Sequence, residues 1–118
     1  MFQDGFAERF AKDWIDAWNR HDLDSILSHY EPNFEFSSPV LAKFIPGSQG
    51  KLNGVDSARA YWAKAFTLRP DLHFEPIAVL KGVDSLVIHY KGLDNKLCAE
   101  FFIFGGNGKV VRSHAHGA

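Results

Sequence analysis

Four strand-like segments fill the C-terminal part of this chain, and the joints between them leave little choice of topology. The segments run from His73 to Leu80, Leu86 to Lys91, Leu97 to Phe104 and Lys109 to His116. The joints are Lys81-Gly82-Val83-Asp84-Ser85, Gly92-Leu93-Asp94-Asn95-Lys96 and Gly105-Gly106-Asn107-Gly108. Each is short and rich in turn formers, so an antiparallel meander is expected.

The first two thirds of the chain follow a different period. Phe6, Phe10, Trp14 and Trp18 recur every four residues beside Ala7, Ala11 and Ala17, which predicts an amphipathic helix from about Asp4 to Arg20. Asp22 is a good N-cap for a second, short helix over Leu23 to Tyr30. Pro32-Asn33 breaks it, and Phe34 to Ser38 alternates like a strand that Pro39 stops. Residues 39–53 read as a long loop of apolar content, a pocket cover or simple packing against the core. Ala58, Tyr61, Trp62, Ala65 and Phe66 then mark a third helix. Helices collected on one face of an antiparallel sheet make an α+β domain. The expected architecture is a curved sheet wrapped around the long N-terminal helix and two shorter ones. The 118 residues form one domain, without internal repeats.

Glu100 is the most informative single residue. It is the only charge in the run Leu97 to Phe104, a strand apolar on both alternating faces. A buried carboxyl must be paired, hydrogen-bonded or protonated, and such groups are candidate functional sites. A structural ion pair, or a reach to solvent at a sheet edge, is the plainer alternative.

Composition removes other classes. Hydrophobic residues make up 46% of the chain, eleven of them Phe, which points to a large aromatic interior. A net charge of −1 without a basic stripe argues against nucleic acid. No apolar stretch approaches membrane-spanning length. Met1-Phe2-Gln3-Asp4-Gly5 lacks the features of a signal peptide, so a cytoplasmic protein is expected. Cys98 stands alone and reads as an inert thiol. Two histidines two residues apart, His114 and His116, share a strand face, but no third ligand follows in metal-site spacing, so no metal is expected. No phosphate loop or other cofactor motif is present, so none is expected.

Several local signatures resemble the SnoaL-like branch of the nuclear-transport-factor-2-like superfamily. They are Trp18-Asn19-Arg20-His21-Asp22-Leu23-Asp24, Tyr30-Glu31-Pro32-Asn33-Phe34-Glu35-Phe36, Asn53-Gly54-Val55-Asp56 and Phe104 to Val111, and the match spans roughly residues 6 to 116. The resemblance implies an α+β cone, as in ketosteroid isomerases and polyketide cyclases. The isomerases' catalytic aspartate falls at Ser38, their first-helix tyrosine at Trp14 and their second acid at Glu100. The cyclases' last-strand acid falls near Ala115. One acid of the isomerase constellation is therefore kept.

The same resemblance implies a sheet face carrying Leu86, Ile88, Tyr90, Glu100, Phe102, Ser113 and Ala115, with Trp14, Trp18, Trp62 and Phe66 facing it from helices and Phe34, Phe36 and Ser38 from the first strand. These residues would line a pocket for a small hydrophobic molecule. Glu100 would be its acid or base, Tyr90 a second donor with Trp14 behind it, and Ser38 a group that positions substrate or water. The outer face, with Val87, His89, Lys91, Ala99, Phe101, Ile103, Val110, Arg112 and His114, is expected to pair two copies into a homodimer. His21 and His29 read as surface or interface residues. Two functions remain open: a cofactor-free isomerase, cyclase or dehydratase acting on a carbonyl compound, or a non-catalytic ligand-binding or dimerisation module.

Overall fold

The computed structural model describes residues 2–118 and confirms the α+β class. Four helices, α1 (Phe6–Asn19), α2 (Leu23–Leu27), α3 (Pro39–Phe44) and α4 (Val55–Leu68), accompany six strands. The strands are β1 (Tyr30–Ser37), β2 (Lys51–Asn53), β3 (Glu75–Lys81), β4 (Ser85–Lys91), β5 (Leu97–Phe104) and β6 (Val110–Gly117). They form one sheet in the order β2-β1-β6-β5-β4-β3.

The meander from β3 to β6 is antiparallel throughout, as the short joints require. One pair breaks the rule. β1 lies parallel to β6, with Tyr30 opposite Val110 and Ser37 opposite His114. β1 also begins earlier than expected, at Tyr30, and α2 ends at Leu27. Pro32 and Asn33 sit inside the strand, where the register shifts between Tyr30 and Glu35. An irregularity of this kind tolerates a residue that cannot donate to the ladder.

The segment 39–53 is not a plain loop. Ser38 caps α3 by accepting the Val40 N–H at 3.2 Å, and Pro39 takes the first helical position. Proline there loses no hydrogen bond, so the residue that stops the strand also starts a helix. Lys51–Asn53 then returns as β2 against β1. Gly54 follows with φ +91, donates its N–H to the Phe34 carbonyl at 2.8 Å, and leads into α4. The helix count therefore exceeds the expected three, and α4, at 14 residues, matches α1 in length.

α1 lays Phe10, Trp14 and Trp18 against the sheet, with Ala7, Ala11 and Ala17 permitting close approach; all six are buried. Its C-terminus is fixed by a Schellman arrangement, in which His21 N–H donates to Trp18 O and Asp22 N–H to Ala17 O. The left-handed position, φ +57, is occupied by His21 rather than glycine. This histidine is not the plain surface residue expected. Its Nε2 lies 2.8 Å from the Leu72 carbonyl, and its ring stacks on Phe66 at 4.2 Å. Beside it, Asn19 clamps the chain entering β3: its amide donates to Phe74 O at 3.0 Å and its oxygen accepts from Phe74 N–H at 2.7 Å. His29 is also largely enclosed, edge-on to Phe10 at 5.1 Å, and burial lowers its pKa.

On the sheet's outer side the register places Leu80, Val87, Phe101 and His114 in one row and Ala78, His89, Ala99 and His116 in the next. Val110 does not belong there. The register shift between Ile103 and Phe104 turns it inward, and it is fully buried.

Asn19 makes both bonds with one planar group, a geometry alanine cannot replace. Asn19→Ala should lower stability by about 2 kcal/mol, two ordinary hydrogen bonds, read as a reduced urea midpoint at unchanged slope.

Candidate functional site

Three neighbouring strands converge on the Glu100 carboxyl. β5 carries it on the concave face, where Ile88 of β4 and Ala115 of β6 stand opposite in the register. Only 4% of the residue is exposed. Ser113 of β6 donates its hydroxyl to Oε2 at 2.8 Å, and Tyr90 of β4 approaches Oε1 at 3.4 Å, a longer and weaker contact. No cation pairs with it among the salt bridges of the described residues, so the structural ion pair is not realised.

Burial pushes the Glu100 carboxyl up to about 7, against the opposing pull of the Ser113 and Tyr90 hydrogen bonds. Loss of hydration penalises the anion, while O–H donors favour it. At neutral pH the group therefore populates both protonation states. The Tyr90 phenol is pushed well up, first by burial and then by the neighbouring Glu100.

Tyr30 belongs to the same cluster and was not legible as a site residue. Its hydroxyl accepts the Trp14 indole N–H at 3.0 Å inside the core. Burial and the proximity of Glu100 raise its phenol. The signal was present, since the Tyr30-Glu31-Pro32 signature names the residue. Reading it as the last residue of α2 hid the direction of its ring. The Trp14 N–H, the next candidate donor after Tyr90, is engaged by Tyr30, and its ring meets Tyr90 edge-on at 5.6 Å.

The aromatic wall is present, but its members pack on one another. Trp14 meets Phe102 at 5.2 Å and Trp18 at 5.9 Å; Trp18 meets Trp62 at 5.1 Å and Phe66 at 5.4 Å; Phe36 meets Trp62 at 5.5 Å. Phe34 lies 4.4 Å from Tyr30. Leu86, Ile88 and Phe102 are fully enclosed on the face they share with Glu100. In this conformation the rings fill the interior. Ser38 is not drawn into the cluster; its recorded hydrogen bond caps α3.

One buried donor has no partner. Among the described residues, the Trp18 indole N–H is the sole buried side-chain polar atom without a hydrogen bond. Such a group costs about 1–3 kcal/mol and calls for an explanation. No group of three or more His, Cys, Asp or Glu side chains among the described residues is placed to hold a metal. No helix among them is long and apolar enough to cross a membrane.

The profile of the SnoaL-like domain matches residues 11–116. The chain belongs to the SnoaL-like family. A SnoaL-like protein of unknown function from Burkholderia thailandensis E264 is 49% identical, with a TM-score of 0.94 over 100% of this chain and 99% of that one. A putative polyketide cyclase from Sinorhizobium meliloti shares the fold at 17% identity, with a TM-score of 0.76 over 98% of this chain and 100% of that one. A protein of unknown function with a cystatin-like fold from Methylobium petroleophilum PM1 does so at 15% identity, with a TM-score of 0.79 over 99% and 78%. No protein of curated function matches the sequence. Family and fold are thereby established, whereas chemistry has to come from the site itself.

The raised Glu100 pKa makes a stability prediction with a definite sign. The folded state holds this proton more tightly than the unfolded chain, so stability is lost as pH rises from about 4.5 to about 7. At 1.36 kcal/mol per unit the loss is about 3 kcal/mol. Glu100→Gln should remove that dependence, so the difference in stability between variant and wild type grows by about this amount from pH 5 to pH 8. His29 titrates in both proteins and cancels in the comparison. Urea titrations at the two pH values measure it.

Proposed function

We propose that this SnoaL-like protein is a cofactor-free acid/base enzyme acting on a small hydrophobic carbonyl compound, with Glu100 as the group that moves the proton. The observation that carries the reading is the Glu100 carboxyl itself, enclosed among aromatic rings, without a cation, and poised near neutrality. A general acid or base works best when its pKa lies near the working pH. As an anion, Glu100 would accept a proton from the carbon next to a carbonyl. In its protonated form it would return that proton at another carbon or donate to a developing enolate oxygen. Ser113 and Tyr90 hold the carboxyl in place, and Tyr90 is the second donor within reach of the same space.

The unpaired Trp18 N–H supports entry of an oxygen-bearing ligand into the aromatic interior. A carbonyl oxygen would satisfy this donor, and a flat ring would take the place of one of the rings around it. The fold shared with a putative polyketide cyclase is consistent with such a ligand. The close packing of the interior rings favours the second reading, a non-catalytic module, and within it the dimerisation role.

A screen of cyclic ketones and 1,3-diketones for proton–deuterium exchange in D2O, followed by NMR, separates the two. Enzymatic exchange should track the ionisation of Glu100 and fall by at least about 100-fold in Glu100→Gln, the usual range for a lost general base. Ligand binding with no exchange above background would leave only the module, and full exchange in Glu100→Gln would overturn the role given to Glu100. Trp18→Phe should weaken ligand binding by about 1–2 kcal/mol, the worth of the lost hydrogen bond, measured by calorimetry on the folded variant.

We further propose that the outer sheet face pairs two copies of the chain through β3 and β4, beside the β5–β6 part of that face. Leu80 is 58% exposed and shares this face with half-buried Val87. Such a patch is poorly suited to water. Light scattering should give twice the chain mass, and Leu80→Lys should reduce it to the chain mass without loss of fold.

A further inference from the structure

β1 stops at Ser37, whereas its neighbour β6 continues to Gly117. The missing length of strand leaves a cleft of about 550 Å³ at the sheet edge, walled on the other side by Pro39 at the start of α3 and by Gln49. That volume lies in the usual range for small-molecule sites. The cleft shares Ala115 with the position opposite Glu100, but its polar groups lie on the other face of the sheet and take no part in the chemistry proposed above.

Its polar groups are organised. Ser37 and His114 are register partners across the parallel β1–β6 pair, and the Ser37 hydroxyl lies 2.6 Å from His114 Nδ1. This bond fixes the His114 ring and leaves Nε2 as its other polar atom. His116 Nδ1 lies 3.0 Å from the His114 carbonyl. A carbonyl only accepts, so that nitrogen carries the hydrogen, and in neutral His116 the lone pair sits on Nε2. Protonation turns Nε2 into a donor. Phe101 supplies an aromatic surface, its ring 6.3 Å from that of His114. No carboxylate lines the cleft.

We propose that this cleft binds a small aromatic carboxylate, its ring resting against Phe101 and Pro39 and its anionic end held by His114 and His116. The charged groups that the register brings to the same face support an anion. Lys51 of β2 stands opposite Ser37, Arg112 precedes His114 by two residues on β6, and His89 of β4 lies across Ala99 from His116. Glu35 of β1 is the opposing charge, and it stands opposite Arg112.

Titration of the protein with benzoate, followed by calorimetry and by NMR of the histidine side chains, tests the assignment. Benzoate should bind at least about 10-fold more tightly than benzamide, with shifts at His114 and His116. His116→Gln, a change at an exposed position, should remove that preference, and Phe101→Ala should weaken binding of both compounds. No saturable binding, equal affinity for benzamide, or an unchanged preference in His116→Gln would overturn the proposal.

Discussion

Trp14 is the hinge of the interior. Its ring touches Trp18 within α1, Phe74 before β3, Tyr90 on β4 and Phe102 on β5, and its N–H is taken by Tyr30 on β1. A large indole placed here must have its polar edge satisfied, since an unpaired donor in the core costs more than one hydrogen bond usually gains. That requirement orients Tyr30, and the Tyr30 hydroxyl in turn faces the region that Glu100 occupies. The acid's environment is thus built from the helix outward: indole, phenol, then the polar atoms on β4, β5 and β6. Trp18, one turn further along, has the same ring without a partner, and the contrast marks where the interior is complete and where it is not.

A carboxyl in such a place works against stability, because desolvation favours its neutral form. Ser113 and Tyr90 offset part of the penalty by donating to it. They leave it titrating near neutrality rather than locked in either state. A purely structural acid is better served by a guanidinium or ammonium partner, and Glu100 has none among the described ion pairs. A costly group without an ion-pair partner in an otherwise apolar interior is what the acid/base role proposed for Glu100 requires.

Much of the fold could be read from residue spacing because each signal was local. The four-residue recurrence from Phe6 to Trp18 and the turn-rich joints after Leu80 each specify an element without reference to the rest of the chain. Glu100 stood out for the same reason, as one charge in an apolar strand. What escaped depended on distant partners. The strand character that begins at Tyr30 comes from pairing with β6, where Tyr30 stands opposite Val110. The short helix α3 rests on Ser38 acting as a cap, although its place after a strand and before Pro39 suggested only termination. The inward turn of Val110 follows from a register shift that no periodicity reveals. The site was legible in its acid and its wall of rings, but its second tyrosine and its unpaired indole emerge only when the side chains are placed.

The parallel contact between β1 and β6 also bears on how the chain reaches this structure. The meander, β3 to β6, can assemble from neighbouring segments with short closures, and such local pairings form quickly. β1 must find β6 across most of the intervening sequence, and closing so long a loop carries an entropic cost before any contact repays it. Until that happens β6 is an open edge, and the face bearing Glu100 lacks Tyr30. The wall that Tyr30 gives the candidate site thus rests on the strand pairing of greatest sequence separation in the sheet.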